Sequence, residues 1–552
     1  MFKKIFSFIL LFSLFCSTSM AEEVSNIENT STEQKTETTL ENSELDNVIN
    51  SINNDKNETI LQQENEQNPT EAQKNEVINI KKEEPKQKIA QDSTNNDFSG
   101  NVDISINNDV SEKIKIEILK TCLSQTINSQ IAKEDGTTEI TTQNNYFDIV
   151  DKKQNSVLSN IFVRLNNNLK ITNLYSINNN QNNCEDITQF IKSNNSTIDD
   201  YIYSNFSNNA EFVVSSIINR TEKGEYKLEI YLWDTLDHKL IAGQYYILNK
   251  YNYKRISNVI SDFIYTKTTG ENKGFFDSKI LYISETGNAK NRIKNINIMN
   301  FNGENNIKIT DEKLLTLTPI FSRYNRNEIY YLQYRNKKAY LYNENLLTHT
   351  KSILKIGDGI VFSPNFNPQE KNQIVLSMAD YEGTNLFLLN NENNKYYRLT
   401  KDSFINTSPS FAPNGRSIAF VSDRTGVKKI YSMDLETGEI NLISKNRGSY
   451  DKPVWAPDEK LIAFIKIEKG VFKLGIMTPD GENERYLLED YLIEGLRWSP
   501  NSRYIMYSKQ KGPFGKDSIP HLYVIDILTN YEYKLNIPDD EGASDPDWIM
   551  NE

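Results

Sequence analysis

SPSFAPNGRSIAFVSDRTGVKKIYSMDLETGEINLIS, residues 408–444, alternates runs of β-forming residues with turn sequences. The aromatic Phe411 lies between two prolines and precedes the turn PNG. The runs SIAFVS and KIYSMD follow, separated by the turn DRTG and closed by the turn ETGE. Gly415 can adopt the positive φ that such a turn requires, and no helical spacing of apolar residues is present. The stretch therefore predicts short strands joined by tight turns.

Similar stretches recur along the second half of the chain. The aromatic that precedes each turn is Phe321, Phe366, Phe411, Trp455, Trp498 or Trp548, with spacings of 45, 45, 44, 43 and 50 residues. This period is typical of a four-stranded propeller blade. A large aromatic on the first strand can pack between neighbouring sheets, and the proline before it suits a position without a ladder hydrogen bond.

The two ends of the repeated region complement each other. Five complete copies begin near residues 317, 360, 407, 451 and 494. Residues 279–310 have the later strands of a blade without the aromatic first strand, whereas DPDWIM at 545–550 has only that first strand. We therefore expect residues 271–552 to form a closed six-bladed β-propeller in which the C-terminal strand completes blade one. An open array of hairpins would leave both fragments unpaired.

The segment 99–270 lacks the repeat and predicts a small N-terminal α/β domain. Three consecutive strands are indicated by AEFVVSSIINR (210–220), GEYKLEIYLWDT (224–235) and KLIAGQYYIL (239–248). Helical spacing favours helices in SEKIKIEILKTCLSQTIN (111–128) and YKRISNVISDFIYTKT (253–268).

The N-terminal 98 residues have the composition of export and linker sequences. Residues 1–21 combine Lys3 and Lys4, a short apolar core and a small-x-small site ending at Ala21, which predicts a secretory signal peptide. Residues 22–98 contain 18 acidic and 7 basic residues and no aromatic before Phe98, which predicts a disordered acidic and polar tail. Most of the net charge of −13 therefore belongs to this tail. We expect no stable membrane insertion.

The chemistry-bearing residues favour a protein without catalytic activity. His238, His349 and His521 are scattered, so no metal site or cofactor is expected, and no G-x-S-x-G motif is present. Basic residues do not cluster with aromatics, which argues against nucleic acid as a partner. Cys122 and Cys184 remain after export and can form a disulfide or stay as two partly buried thiols.

The junction between the two predicted domains carries a specific resemblance. ISNVISDFIYTKTTGENKGFFDSKILYISE (256–285) resembles the domain junction of the TolB family, propeller proteins of the bacterial Tol-Pal system, and the blade sequences resemble those of the family. The matching junction residues are Ser261, Asp262, Thr269, Gly270, Lys273, Gly274, Phe276, Ile280 and Tyr282. The chain departs from the family in its 77-residue tail and in the degenerate turns SRYN and NPQE of blades two and three.

The resemblance implies a periplasmic binding protein. Its expected partners are a Pal-like peptidoglycan-associated lipoprotein and a TolA-like inner-membrane protein, and its expected role is outer-membrane integrity and invagination during cell division. The resemblance places the Pal contacts on the side of the propeller where each outer strand leads into the next blade. The candidate partner-binding residues there are Thr318, Ile360, Ser363, Asn406, Thr407, Lys452 and Asp545.

The sequence is also compatible with two alternatives. One is an exported propeller enzyme that acts on an envelope glycan, which would need convergent His, Glu, Arg or Tyr in the channel. The positions near the blade starts instead hold Thr318, Ser363, Thr407, Lys452, Gly495 and Asp545, a poor catalytic set. The other is a binding module for an unrelated surface partner.

Overall fold

The computed structural model describes residues 112–551 except 133–137, 150–151, 181–182, 195, 222, 250, 288–291, 311–313, 336–337, 355–358 and 513–518. The predicted signal peptide (1–21) and tail (22–98) lie outside the described residues. No helix in the described part of the chain has the length and apolar character needed to cross a membrane.

The N-terminal region combines a seven-stranded sheet with helices. Its strands are β1 (Ile114–Leu119), β2 (Cys122–Ala132), β3 (Thr138–Phe147), β4 (Tyr175–Asn180), β5 (Phe212–Arg220), β6 (Tyr226–Asp234) and β7 (Lys239–Leu248). Its helices are α1 (Lys152–Ile171), α2 (Cys184–Asn194), α3 (Ile198–Phe206) and α4 (Tyr253–Thr269). The three strands predicted before α4 correspond to β5, β6 and β7.

β5 lies at the centre of this sheet. β6 and β7 extend the sheet from one edge of β5 in antiparallel pairing. On the other edge β5 pairs in parallel first with β1 and then with β2. β4 adds to β1 in parallel, and β3 adds to β2 in antiparallel pairing.

The helix predicted at residues 111–128 is wrong, because this segment forms β1 and the start of β2. Ile114, Ile116 and Ile118 alternate with polar residues, which is the period of a strand, and β-branched side chains favour that conformation. Cys122 at the start of β2 and Cys184 at the start of α2 form a disulfide.

Helix α4 is confirmed and leads into the propeller. Ile256, Ile260 and Ile264 recur at four-residue spacing and are buried. Gly270 ends the helix with φ of 75°, a left-handed conformation that glycine adopts without steric cost.

The C-terminal region consists of six four-stranded sheets, so the predicted propeller fold is confirmed. Blade one contains β8 (Ser278–Thr286), β9 (Ile293–Asn300), β10 (Ile307–Lys308) and the last strand, β31 (Gly542–Met550). Blade two contains β11 (Thr316–Phe321), β12 (Glu328–Arg335), β13 (Lys338–Asn345) and β14 (Lys351–Leu354). Blade three contains β15 (Ile360–Phe366), β16 (Gln373–Asp380), β17 (Gly383–Asn390) and β18 (Lys395–Arg398).

The remaining blades follow the same order. Blade four contains β19 (Asn406–Phe411), β20 (Ser417–Ser422), β21 (Lys429–Asp434) and β22 (Ile440–Leu442). Blade five contains β23 (Ser449–Trp455), β24 (Ile462–Glu468), β25 (Val471–Met477) and β26 (Arg485–Asp490). Blade six contains β27 (Leu492–Trp498), β28 (Tyr504–Gln510), β29 (His521–Asp526) and β30 (Glu532–Lys534).

The C-terminal strand closes the ring as predicted. β31 pairs with β8 from Gly542 opposite Glu285 to Met550 opposite Ser278. Trp548 is buried, its indole stacks on Phe301, and its Nε1 donates to Ser278 Oγ at 2.7 Å. The ring therefore has no free inner edge at the meeting of the first and last strands.

One continuous apolar core joins the two regions. Ile260, Ile264 and Tyr265 of α4 belong to the same buried cluster as Tyr504 and Trp548 of the propeller. At its edge, Arg255 donates to Asp277 Oδ2 at 3.0 Å and to the Asn551 carbonyl at 2.8 Å. The α/β region thus contacts the start of the first propeller strand and the end of the last one.

Candidate functional site: the distal face of the propeller

The two faces of the propeller differ in what covers them. We call the face that contacts α4 proximal and the opposite face distal. The distal face carries the connections from each outer strand to the next inner strand and the turns between the second and third strands of each blade. Because α4 and the segment after it pack on the turns of blades one and six at the proximal side, they leave the distal channel mouth uncovered.

Each inner strand contains one residue with left-handed backbone. These residues are Thr318, Ser363, Ser408, Lys452, Gly495 and Asp545, with φ between 47° and 64°. At each of them the pairing with the second strand shifts in register. Five precede a proline, which disfavours right-handed helical backbone. Such bulges re-aim side chains, and here they recur once per blade around the channel.

The structure places the predicted partner-binding residues in two environments. Thr318, Ile360, Ser363, Lys452 and Asp545 are partly exposed, whereas Asn406 and Thr407 are buried. In blade four the left-handed position equivalent to Ser363 is Ser408, one residue later than the ring position predicted from the sequence.

Asn406 takes part in a polar network at the start of blade four. Its Nδ2 donates to Asp402 Oδ1 at 2.6 Å, and its Oδ1 accepts from Arg424 Nη2 at 3.1 Å. Arg424 also forms an ion pair with Asp402 at 3.2 Å. Asn406 therefore shapes the loop that leads to the channel and offers little surface of its own.

Side chains two positions after the left-handed residues connect neighbouring blades. Asn365 Oδ1 accepts from the backbone N–H of Phe411 at 2.9 Å, and Ser410 Oγ accepts from that of Trp455 at 3.2 Å. These bonds satisfy backbone donors at the bulges. They connect the inner strands of blades three, four and five directly to one another.

Asp547 also lies two positions after a left-handed residue and connects neighbouring blades, in this case through a charged carboxylate. Its buried carboxylate accepts from the backbone N–H of Phe321 at 2.8 Å and pairs with Arg323 at 2.7 Å and Arg497 at 3.1 Å. Burial lowers the pKa of Arg497, and the Asp547 carboxylate opposes that effect. Blades one, two and six meet at this carboxylate.

A second charged group lies at the distal channel mouth on blades five, six and one. Glu285 pairs with Lys294 at 2.9 Å and Arg292 at 3.2 Å and accepts from Ser544 Oγ at 2.7 Å. Burial raises the pKa of Glu285, but these cations and the hydroxyl outweigh burial and lower it overall. Burial raises the pKa of the neighbouring Glu494 to about 7, against the opposing effect of Lys452 and with the support of Asp545.

Large apolar side chains that are exposed to solvent surround this mouth. They lie on the second-to-third-strand turns or on the connections into a new blade, and they are Ile293, Tyr381, Phe404, Val427, Val471 and Tyr491. Tyr381 is 82% exposed. Single exposed apolar residues are common on any protein surface, whereas several on one face with a polar surround are a feature of interaction sites.

These apolar residues were not among the candidate residues predicted from the sequence. A signal was present, since Tyr381 and Val427 belong to turn sequences (DYEG and DRTGV) in which polar residues are usual. Among the described residues, no three His, Cys, Asp or Glu side chains lie close enough together to hold a metal ion. The arrangement of exposed apolar side chains around paired charges is suited to binding another protein.

Comparisons with known proteins identify the family. The protein-family model described as the TolB beta propeller domain matches residues 265–551 of this chain. The Tol-Pal system protein TolB of Gluconobacter oxydans (strain 621H) is 35% identical over 328 residues, which are 59% of this chain and 71% of that protein. The Tol-Pal system protein TolB of Rickettsia bellii (strain OSU 85-389) is 35% identical over 350 residues, 62% of this chain and 78% of that protein.

A solved structure agrees with the fold. TolB from Acinetobacter baumannii superimposes with a TM-score of 0.62 at 17% identity, covering 79% of this chain and 97% of that chain. At this identity the likeness supports the architecture alone, and the family assignment rests on the sequence matches. The chain belongs to the TolB family.

Proposed function

We propose that this protein is the TolB-like component of a Tol-Pal system and acts in the periplasm without catalysing a reaction. In this proposal its propeller binds a Pal-like peptidoglycan-associated lipoprotein, and its N-terminal part contacts a TolA-like inner-membrane protein. The role is to maintain outer-membrane integrity and invagination during cell division. The names of the relatives at 35% identity support the system.

One observation carries the proposed partner surface. Six exposed apolar side chains surround the distal channel mouth, on the face that α4 leaves uncovered. A few anchor residues, often aromatic, carry most of the binding free energy of a protein interface, and truncation of such an anchor costs about 2 kcal/mol or more. We therefore place the lipoprotein on this face, with Thr318, Ile360, Ser363, Lys452 and Asp545 at the rim and Asn406 and Thr407 shaping the surface from beneath.

The N-terminal part of the proposal follows the predicted organisation. Residues 1–21 would direct export and be removed, and residues 22–98 would form a tether ahead of an α/β domain ending near residue 270. A flexible coil of 77 residues has an end-to-end distance of roughly 50 Å. Such a tether would let the N-terminus reach an inner-membrane partner while the propeller is held at the peptidoglycan side.

The experiment is recovery of partners from the native envelope, followed by affinity measurements on variants. Tyr381→Asp and Ser363→Arg should each weaken binding of the recovered lipoprotein at least about tenfold, because a charge or a bulky group would disrupt a desolvated contact. Leu528→Asp is the matched control, since Leu528 is 65% exposed on the proximal side of blade six. All three variants should keep the melting temperature of the wild type.

Two outcomes would contradict the proposal. Weaker binding by the Leu528 variant with unchanged binding by the Tyr381 and Ser363 variants would place the interface on the proximal face. Hydrolysis of an envelope glycan by the purified protein, with no lipoprotein recovered, would favour the enzyme alternative.

A further inference from the structure

A polar cleft lies on the α/β domain, away from the distal face. Its volume is about 310 Å³, close to the lower limit for small-molecule sites. Strands β1 and β4 form its floor, and the end of α3 with the following turn forms its wall. The polar lining includes Lys115, Glu117, Ser176, Asn178, Asn205 and Asn209.

The floor is polar because of strand alternation. β1 and β4 pair in parallel with Lys115 opposite Ser176 and Glu117 opposite Asn178. Ile116 and Ile118 point to the other face, where they join the apolar core. β1 pairs in parallel on both edges, and strands in parallel sheets are usually covered by apolar packing on both faces. Here the second face of β1 carries charged residues, and α3 covers only part of it.

Glu117 is the unusual residue of the floor. It is 3% exposed, and both of its carboxylate oxygens accept from Asn178 Nδ2, at 2.9 and 2.8 Å. Among the residues that the structure describes, Glu117 has no ion-pair partner, since the Lys115 ammonium pairs with Glu112 at 3.0 Å. A buried carboxylate with a single amide donor leaves acceptor sites unfilled, and such a charge is costly without a cation.

The wall contributes a partial negative charge beside Glu117. α3 ends at Phe206 beside the cleft, and the C-terminus of a helix carries a partial negative charge. Asn205 and Asn209 place further amide groups at the rim. Folding of the domain removes water from the Glu117 carboxylate. A cation that enters the cleft would therefore be attracted to this carboxylate without any further cost for desolvating it.

We propose that this cleft binds an alkyl cation, a primary ammonium or guanidinium group on a short chain, with Glu117 as its counter-ion. The amides of Asn178, Asn205 and Asn209 supply carbonyl acceptors for the remaining N–H groups of such a ligand. The same chemistry is carried by a free diamine and by a lysine or arginine side chain of a peptide. The proposal is independent of the lipoprotein interface.

Calorimetric titration of the chain lacking only residues 1–21 tests the proposal. The probes are cadaverine for the free amine, N-acetyl-lysine methylamide for the peptide side chain, and N-acetyl-glutamine methylamide as the neutral control. We expect a dissociation constant on the order of 1 mM for at least one cationic probe and no binding of the neutral one. The stronger of the two cationic probes indicates the source of the ligand.

Two variants identify the site. Glu117→Gln keeps the size of the side chain and a carbonyl acceptor for Asn178, and should weaken the cationic probe at least tenfold. Asn209→Lys keeps Glu117 but introduces a tethered ammonium at the rim, and should weaken the probe by competition. Glu225→Gln, an exposed glutamate of the same domain, should bind as the wild type does.

The proposal is overturned if neither cationic probe binds at a concentration ten times the expected dissociation constant. It is also overturned if the neutral probe binds as tightly as the cationic ones. The third contradicting result is that Glu117→Gln and Asn209→Lys both bind the probe like the wild type. Binding of Ca²⁺ in place of the alkyl cations, lost in Glu117→Gln, would overturn the ligand class.

Discussion

Glu494 is the residue of the channel mouth whose ionisation should be visible in stability. Burial raises its pKa to about 7, and Asp545 and Glu285 add to that effect while Lys452 and Lys294 oppose it. Between about pH 4.5 and 7 the folded state therefore keeps a proton that the unfolded state has lost. Because the unfolded state binds fewer protons, the free energy of unfolding falls as the pH rises through this range.

We expect the wild type to lose about 1 to 2 kcal/mol relative to Glu494→Gln between pH 4.5 and 8, a figure reduced for the solvent that screens the channel mouth. Urea unfolding of both proteins at a series of pH values measures this difference. The contributions of the other titrating groups largely cancel because the wild type and the variant share them. Glu436→Gln, at an exposed turn of blade four, should run parallel to the wild type. Parallel curves for the Glu494 variant as well would show that this carboxyl titrates normally.

For single residues, the sequence predicted where the ring of inner-strand positions lies better than it predicted which of their side chains are exposed and which are buried. The x-P-x-aromatic pattern locates Thr318, Ser363, Lys452 and Asp545, because proline restricts the residue before it. The same pattern in SPSF locates Ser408, the residue before Pro409, so the predicted position Thr407 in blade four is one residue too early. The burial of Asn406 depends on Arg424, which lies in a different turn and becomes a neighbour only after folding.

The closing strand β31 is the element on which the propeller depends most. Trp548 packs between Phe301 and the rest of the shared core, and its Nε1 donates to Ser278 Oγ. Trp548→Ala should lower the free energy of unfolding by about 3 to 5 kcal/mol, because it leaves a large cavity and removes a buried hydrogen bond.

Trp548→Phe is the matched variant, since it keeps most of the apolar volume and loses only the indole donor. We expect it to cost less than half as much as the alanine variant in equilibrium denaturant unfolding. Equal effects of the two variants would mean that the hydrogen bond to Ser278, and not packing, holds the strand. No effect of either would contradict the role of β31 in closure.

The elements of the propeller were easier to predict than those of the α/β domain for a physical reason. Each blade repeats the same strand and turn signals, so the six copies of the aromatic position reinforce one another. The α/β domain offers each signal once, and residues 111–128 contain both a period-two run of isoleucines and polar residues at helical spacing. Tertiary pairing of β1 with β4 and β5 decides between them, and local sequence does not contain that information.

At the scale of the whole molecule, the shared core makes the two regions energetically dependent on each other. Tyr265 of α4 is fully buried, packs edge-on against Phe275 and Phe276, and accepts from Asn501 Nδ2 at 3.3 Å. Asp262 accepts from the backbone N–H groups of Phe275, Phe276 and Asp277, which holds the connecting segment against the helix. A junction of this kind is less mobile than a linker between separate domains.

We therefore expect the wild-type chain to unfold in a single calorimetric transition. Tyr265→Ala should split it in two, because the variant removes an aromatic side chain from the contact between α4 and blade six while leaving the interior of each region intact. Tyr245→Ala is the control, since Tyr245 is exposed on β7 and should leave one transition near the wild-type temperature. Two transitions in the wild type would show that the regions fold independently. The effect of binding at the distal face would then not be transmitted through blade one to the α/β domain. Any response of the N-terminal part to a partner would require a different set of contacts.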